Sequence, residues 1–428
     1  MVRSIKPVGN KGDAELHAVP QLSSASSKNE VRFPRLRTAA AIVATAIGAL
    51  VVLLALTNFF PASSNYLTLA GAVVWTTAAP HLFLLSVVAT LLTIPLWRAK
   101  RRPVLRGIAS GVAWLALVAS IVITGSLIGA ATSNGGSVNL VQAVTLASAN
   151  EPPTEITSYV TVDGKPLEAR VYEPEGGAKD APVMMYIHGG GWQVGSAKES
   201  ETTAQYWAGQ GWYVVSVDYR LSSTEQATWN KAPADVACAL TWTDRYAAEA
   251  GADNSKLTVM GDSAGAHLGV LLGWSAGDGA AASTCSELGD VPIPDAVIAS
   301  YPAIDLQYNY DYGVSPVQGI DPQDFTHLFL GGEPADVPDR FRAVSPLNYL
   351  GDATPSTLVM QPSRDDFIPA EGNYRSIETA AKAGVDATII SVPFAWHGFD
   401  TPQGGIGGQV KNSVTEKWLR ERDLAPYR

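Results

Sequence analysis

The chain has 428 residues, with 30 Lys and Arg against 40 Asp and Glu, so its formal net charge is −10 at pH 7. The two signs are unevenly spread. Residues 1–106 hold 12 basic and 3 acidic side chains, whereas residues 107–428 hold 18 basic and 37 acidic ones. Binding to nucleic acid depends on neutralising phosphates, so the acidic part argues against a nucleic-acid partner and against strongly anionic substrates.

Three long apolar stretches occupy the first third of the chain. Residues 38–60, 67–97 and 107–131 contain no Asp, Glu, Lys or Arg, and each exceeds the roughly 20 residues that a helix needs to cross a bilayer. Pro80 interrupts the second stretch, which predicts a kinked or tilted helix. A cleaved signal peptide would be a short apolar segment near the N-terminus, whereas the first stretch begins after 37 residues. We therefore predict a membrane domain over residues 38–131 with three transmembrane helices.

Basic residues predict how these helices are oriented. The N-terminal tail, residues 1–37, holds seven Lys and Arg, the turn 58–67 holds none, and the segment 98–106 holds five. Loops rich in Lys and Arg stay in the cytoplasm. The sequence therefore predicts a multi-pass membrane protein whose N-terminal tail is cytoplasmic and whose chain after residue 131 is extracytoplasmic. The spans carry no Asp, Glu, Lys or Arg, which argues against a transport pathway through them.

The remaining chain divides into a linker, residues 132–154, and a catalytic domain, residues 155–428. The linker is composed mainly of small and polar residues and ends in a pair of prolines. Both cysteines of the chain, Cys238 and Cys285, lie in the catalytic domain. Because disulfides form outside the cytoplasm, the predicted orientation favours a disulfide between them.

Short apolar runs alternate with helical patterns throughout the catalytic domain. The alternation predicts a mostly parallel sheet covered by helices on both faces, and such sheets carry their sites at the carboxyl ends of the strands. The predicted strands are ARVYEP, PVMMYIHG, WYVVSVDY, KLTVMG, AVIASYP, TLVMQP and ATIISVP.

A serine follows one of these strands in a G-x-S-x-G pattern. The segment Gly261–Gly265 reads GDSAG, is preceded by KLTVM, and leads into the helix-like AGAHLGVLLGW. A sharp strand-to-helix turn of this kind exposes the serine oxygen above the sheet, and the helix N-terminus behind it favours developing negative charge. The pattern alone is also that of an ordinary tight turn. Its flanks make Ser263 the candidate nucleophile.

A run of glycines follows another strand. His188 and Trp192 bracket three consecutive glycines directly after PVMMYI. Glycine backbone N–H groups at such a position can stabilise the oxyanion of an acyl-transfer reaction. The alternatives are a flexible loop or a phosphate-binding turn, but no Walker lysine or G-x-G-x-x-G pattern follows. We interpret His188 as a residue that organises the loop, and Trp192 as one that lines the substrate pocket or packs the loop.

Two segments near the C-terminal end supply a base and an acid. TLVMQ precedes the pair Asp365 and Asp366, and ATIISVP precedes His397. A serine hydroxyl is too weakly acidic to attack unaided, so an imidazole has to accept its proton and a carboxylate has to orient that imidazole. The chain order Ser, Asp, His is the one expected on this sheet architecture. These residues predict a catalytic triad in which either aspartate is the acid.

The motifs HGGGW, VDYRL, GDSAGAHL and HGF resemble those of the hormone-sensitive-lipase-like esterases of the α/β-hydrolase superfamily. The resemblance covers roughly residues 155–425 and implies an α/β-hydrolase fold, here preceded by the membrane helices. It implies that Ser263 is the nucleophile and His397 the base, and the spacing in DDFIP favours Asp365 over Asp366. The backbone N–H groups implied for the oxyanion hole belong to Gly189, Gly190, Gly191 and Ala264.

The resemblance also leaves features open. Soluble members of this group often carry an N-terminal helical cap, where this chain has a short linker after its membrane helices. The segment 303–345 is therefore a candidate lid, although its aromatic residues are equally consistent with packing. Asp262 is interpreted as holding the serine turn by local hydrogen bonds, and Asp235 as structural.

The sequence thus predicts a membrane-anchored serine esterase or lipase that needs no metal and no cofactor. Its predicted substrate is a carboxylic ester, with membrane or cell-envelope lipids among the candidates. An acyltransferase with the same triad remains open, because the two activities differ only in the acceptor. A binding protein built on a disabled hydrolase fold is disfavoured, since every member of the triad is present. The oligomeric state is left undetermined.

Overall fold

The computed structural model describes residues 33–97 and 103–427. It begins with three long helices that are apolar enough to cross a membrane, α1 (Phe33–Leu56), α2 (Tyr66–Trp97) and α3 (Pro103–Ser133). The predicted kink lies at Ala78, whose backbone is non-helical, two residues before Pro80. Proline has no N–H for the helical ladder and its ring crowds the preceding turn, which explains the kink. Residues 1–32 of the predicted tail and residues 98–102 of the basic loop lie outside the described residues.

Small residues mediate the contacts among the three helices. Ala44, Ala89 and Ala113 form one buried cluster, and a Cβ on Gly71 would lie 1.9 Å from the hydroxyl of Thr57. Close approach through small side chains is how helices associate within membranes, where no hydrophobic force drives them together. Large apolar side chains point outward instead. More than half exposed are Leu50, Leu91, Ile94, Trp114, Leu115, Val118, Ile121 and Val122.

Beyond the helices lies a sheet domain, residues 155–427, built on eight strands in the order β1-β2-β4-β3-β5-β6-β7-β8. The first two strands pair antiparallel, as do β2 and β4, and every other pair is parallel. The predicted mostly parallel sheet is confirmed. The strands are β1 (Glu155–Val162), β2 (Lys165–Tyr172), β3 (Pro182–Ile187), β4 (Tyr213–Val217), β5 (Asp253–Asp262), β6 (Ala296–Ser300), β7 (Ser356–Pro362) and β8 (Ala387–Val392).

Helices connect these strands and cover the sheet. The central strands β3, β4 and β6 are buried along their whole length, as their continuous apolar sequences require. The helices are α4 (Leu140–Thr145), α5 (Glu201–Gly209), α6 (Ala232–Glu249), α7 (Ala264–Gly277), α8 (Leu306–Tyr312), α9 (Pro322–Leu330), α10 (Pro338–Ala343), α11 (Ala370–Lys382) and α12 (Ile406–Arg420).

The three long helices and the sheet domain share one apolar core. A single buried cluster contains Val51, Trp75 and Leu127 from the long helices together with Phe399 and Val410 from the sheet domain. The connecting segment also docks on the sheet domain. Within it, Asn139 caps α4, the Asn139 N–H donates to the side chain of Gln409 over 2.6 Å, and the Ser137 N–H donates to Ser413 over 3.0 Å.

Candidate active site

Ser263 occupies a strained turn between β5 and α7. Its backbone has φ 53° and ψ −119°, a conformation that costs a non-glycine residue free energy and clusters at functional sites. The flanking glycines make the turn sterically possible. A Cβ on Gly265 would lie 2.2 Å from the Ile187 carbonyl oxygen, and one on Gly261 would lie 2.6 Å from the backbone of Gly265. The sequence pattern therefore folds into the sharp turn that raises the serine above the sheet.

The structure brings Ser263, His397 and Asp365 together from three strand ends. Ser263 Oγ lies 2.9 Å from Nε2 of His397, and Nδ1 of His397 lies 2.9 Å from Oδ2 of Asp365. With Nδ1 protonated, the imidazole donates to Asp365 and accepts from the serine hydroxyl. The other carboxylate oxygen of Asp365 accepts from the Ile368 N–H over 2.9 Å. Burial raises the pKa of Asp365, and the neighbouring His397 opposes that rise.

Asp366, the alternative acid, lies next to this chain of hydrogen bonds but outside it. Its Oδ1 accepts from the indole N–H of Trp396 over 2.7 Å, and its Oδ2 accepts from the backbone N–H of Ser63 over 2.8 Å. Its neighbour Arg364 points toward the same region and donates to Asn58. The residues around Asp365 therefore contact the turn between α1 and α2.

The glycine loop lies against the serine turn. A Cβ on Gly189 would lie 3.0 Å from the Asp262 carbonyl oxygen and 3.4 Å from Cβ of Ser263, so a larger residue would crowd the two backbones where they approach. Gly190 and Gly191 have φ of 108° and 59°, which favours glycine. Among the described residues, the N–H groups of Gly189, Gly190 and Ala264 donate to no protein acceptor. Donors left free beside a serine can bind an oxyanion.

The two residues that bracket the glycines are buried. Trp192 is 3% exposed and stacks on Phe329 with ring centroids 4.6 Å apart, so it packs beneath the loop and does not line an open pocket. His188 stacks on Tyr219 at 4.3 Å, and its Nδ1 lies 2.7 Å from the Gly189 carbonyl oxygen. Burial lowers the pKa of His188, which keeps it neutral. Both residues shape the loop from behind.

The segment 303–345 contains helices α8, α9 and α10 and reaches the glycine loop. A Cβ on Gly191 would lie 2.5 Å from the ring of Phe325 on α9, and that ring lies 6.1 Å from the ring of Phe367. Phe367 in turn lies 4.9 Å from the ring of His397. Phe325 and Phe367 thus connect α9 to the imidazole through aromatic contacts.

A buried charge cluster, absent from the sequence predictions, lies behind the nucleophile. Lys411 on α12 is fully buried and pairs closely with Asp400, and its Nζ lies 3.6 Å from Oδ1 of Asp262. Tyr301 donates to Asp400 over 2.7 Å, and Tyr186 donates to Asp262. Asp262 was expected to make local hydrogen bonds. Its observed partners, Tyr186 and Lys411, are distant in sequence, because the carboxylate at the end of β5 points toward α12.

The pKa values in this cluster shift in different directions. For Asp400, burial alone would raise the pKa, but Lys411 outweighs it and holds the pKa below the usual range. For Asp262, burial raises the pKa, and the attraction of Lys411 offsets the rise only in part. Burial disfavours the charged form of Lys411, yet the two carboxylates raise its pKa. The cation therefore stays charged within the core.

Three other predicted residues, Cys238, Cys285 and Asp235, have structural partners. The structure pairs Cys238 on α6 with Cys285, with Cα atoms 5.2 Å apart. Asp235, also on α6, accepts from the Arg220 guanidinium over 2.7 and 2.8 Å and from Thr284 over 2.7 Å. These contacts tie α6 to the loops after β4 and α7, away from the serine.

Comparison with known proteins identifies the family of this chain. A family model described as BD-FAE matches residues 170–376. Carboxylesterase NlhH of Mycobacterium tuberculosis is 30% identical over 242 residues, which cover 54% of this chain and 71% of that relative. The chain belongs to the esterase family of the α/β-hydrolases.

Other members of the family agree with this assignment. Esterase LipC of Mycobacterium tuberculosis is 30% identical over 239 residues, 55% of this chain, and the chain spans 57% of the length of LipC. Among solved structures, esterase 2 of Thermogutta terrifontis phosphonylated by sarin is 25% identical with a TM-score of 0.54. That match covers 65% of this chain and 99% of the other. The sheet domain is thus an α/β-hydrolase fold of the esterase type.

Proposed function

We propose that this member of the esterase family is a membrane-anchored serine esterase or lipase that cleaves carboxylic esters through an acyl-enzyme. The observation that carries the proposal is the hydrogen-bonded series from Ser263 to His397 to Asp365, with both links at 2.9 Å. The free backbone donors of Gly189 and Ala264 beside the serine complete what acyl transfer requires.

In the first half of the reaction, His397 Nε2 accepts the hydroxyl proton while Ser263 Oγ attacks the ester carbonyl carbon. The carbonyl oxygen becomes negative and is stabilised by the backbone N–H groups of Gly189, Gly190 and Ala264. Asp365 holds the imidazole in the tautomer that accepts at Nε2 and stabilises its charged form. The intermediate collapses when His397 returns the proton to the leaving alcohol, and the acyl group remains on Ser263.

The second half releases the acid. A water molecule enters where the alcohol left, and His397 accepts its proton as the water oxygen attacks the acyl carbonyl. The same backbone donors stabilise the second tetrahedral intermediate. His397 then gives the proton back to Ser263 Oγ as the carboxylic acid departs, which regenerates the enzyme.

The anchoring part of the proposal rests on the three long helices. Leu91, Trp114 and Ile121 are 55%, 56% and 51% exposed, and such a surface suits lipid and not water. The basic residues of segments 1–37 and 98–106 favour the cytoplasm, which puts the esterase domain on the other side.

We extend the proposal to an ester lipid as substrate. The turn between α1 and α2 carries Phe59 and Phe60, which are 83% and 58% exposed, and exposed Phe side chains can bury themselves at the boundary between lipid headgroups and acyl chains. Because Asp366 accepts from Ser63 of the same turn, the catalytic groups would lie near the level of the lipid headgroups. Lipid ester carbonyls lie close to that level.

A fluorophosphonate probe tests the catalytic proposal. The full-length protein in membranes should be labelled on Ser263 and should hydrolyse p-nitrophenyl butyrate. Ser263→Ala should abolish both, whereas the matched control Ser158→Ala, a serine on the solvent side of β1, should keep both. No labelling of the wild-type protein, or equal labelling of Ser263→Ala, would refute the proposal.

Two further experiments test the substrate and the orientation. A series of p-nitrophenyl esters should be hydrolysed faster as the acyl chain lengthens, and a preference for acetyl would contradict a lipid substrate. Alkaline phosphatase fused at the C-terminus should be active in whole cells, since it needs the oxidising side. Fluorescence from green fluorescent protein fused at the same position would contradict the proposed orientation.

A further inference from the structure

The loop that carries the catalytic acid is bound to the membrane helices. We call residues 363–369 the acid loop and residues 57–65 the anchor turn, which joins α1 to α2. Arg364 extends from the acid loop and donates to the carbonyl oxygens of Thr57 and Phe60 over 3.0 and 2.6 Å and to Oδ1 of Asn58 over 2.9 Å. One guanidinium, on the residue before Asp365, thus binds three residues of the anchor turn.

Asp366 forms a second link on the other side of the catalytic acid. It accepts the Ser63 N–H of the anchor turn with one oxygen and the Trp396 indole N–H with the other. Trp396 immediately precedes His397, and their rings lie 6.1 Å apart. A single carboxylate therefore connects the anchor turn to the loop of the base as well as to the loop of the acid.

The anchor turn is itself rigid. The Thr57 hydroxyl donates to the Leu54 carbonyl oxygen over 2.7 Å, and the indole of Trp75 donates to the same oxygen over 3.0 Å. The hydroxyl of Thr68 at the start of α2 donates to the Ala62 carbonyl oxygen over 3.0 Å. These bonds fix the turn to both of its helices, so the carbonyl oxygens offered to Arg364 are held in place.

Resting on the proposed function, we propose that Arg364 and Asp366 are positioning residues that hold Asp365 and His397 against the anchor turn, so that catalysis depends on the membrane helices. Neither side chain belongs to the triad. The residues just before and just after Asp365 are both fixed to the same rigid element, which limits the movement of the carboxylate between them. Loss of either link would let the Asp365–His397 pair shift, and small displacements of reacting groups slow catalysis steeply.

The test uses the full-length protein in detergent micelles with p-nitrophenyl butyrate, a substrate too small to need the lipid surface. Arg364→Ala and Asp366→Ala should each lower kcat by about 10- to 100-fold while KM changes little, because the substrate site is untouched. The rate of fluorophosphonate labelling of Ser263 should fall in parallel. Arg364→Lys should recover part of kcat, since its ammonium group can still donate to the anchor turn. The control Arg342→Ala removes an exposed arginine whose partner is the exposed Asp339 and should leave all values unchanged.

A second variant keeps the inference testable if Arg364→Ala does not fold. Asn58→Ala removes one acceptor of Arg364 from the anchor turn and should lower kcat several-fold without a large change in Tm. The positioning role would be overturned if folded Arg364→Ala and Asp366→Ala kept the wild-type kcat and labelling rate. Where those variants do not fold, the same result in Asn58→Ala would overturn it. Absence of activity and labelling in the wild-type protein would instead refute the proposed function.

Discussion

The buried ammonium group of Lys411 gives the sharpest prediction about stability. Its side chain is fully buried between Asp400 and Asp262, so Lys411→Met would leave two carboxylates in the core without a cation. Removing one partner of a buried ion pair costs about 3–5 kcal/mol, because the remaining charge is desolvated and unpaired. With about 2–4 °C of Tm per kcal/mol for a domain of this size, Tm should fall by roughly 6–20 °C.

A matched control lies on the same helix. Lys417 on α12 is 42% exposed at its side chain and pairs with Glu421, so Lys417→Met should change stability by no more than about 1 kcal/mol. The double variant Lys411→Met with Asp400→Asn should recover part of the loss, since only Asp262 then lacks a cation and the neutral amide can still accept from Tyr301. Thermal unfolding of the full-length proteins, followed by tryptophan fluorescence in one detergent, measures these differences. A Tm for Lys411→Met equal to that of Lys417→Met, or no recovery in the double variant, would refute the reasoning.

Three further predictions concern catalysis, pH and the cysteines. Asp365→Asn should lower kcat by about 10⁴-fold because the imidazole loses its orienting carboxylate. The kcat of Asp366→Asn should stay within about 100-fold of the wild-type value. The reverse order would contradict the choice of acid. Burial lowers the pKa of His267 from 6.5 to about 4, so between these pH values the unfolded chain binds more protons than the folded one. The free energy of unfolding should therefore fall by about 3 kcal/mol as the pH drops through that window. Denaturant titrations measure this decline, and His267→Gln should remove it. Replacing both Cys238 and Cys285 by Ala should lower the free energy of unfolding by up to about 4 kcal/mol, because their disulfide would close a loop across a separation of 47 residues. An alkylating reagent added without a reductant should modify neither cysteine in protein extracted from membranes.

The strand ends were predictable from the sequence because the chemistry there is local. The GDSAG pattern requires glycines on both sides of Ser263 to form its turn, and the glycine run requires glycine at Gly190 and Gly191, so each motif encodes its own backbone geometry. The predicted strands occur close to their expected positions, as β2 to β8. Strand β1 is not predicted, because EITSYVTV is half polar and its alternation breaks at a register shift between Ser158 and Val160 on the edge of the sheet.

The contacts between distant segments were not predictable in this way. Nothing in the residues around Arg364 indicates that its partners lie some 300 positions earlier in the anchor turn. Lys411 left a weak signal, since it falls between Val410 and Val414 on the apolar face of α12, where a lysine needs a buried partner. Trp192 could equally have lined a pocket, and only the stacking on Phe329 decides that it packs the loop.

The core shared by the long helices and the sheet domain determines how the molecule would respond to proteolytic cleavage between them. Residues 147–154 are largely exposed and form no helix or strand, so a protease could cut there without disturbing either half. The two fragments would nevertheless stay together, because Trp75 and Leu127 remain embedded among Phe399 and Val410. A nicked molecule would therefore run as two bands under denaturing conditions and as one particle in mild detergent, and cleavage alone would not separate the sheet domain from the long helices.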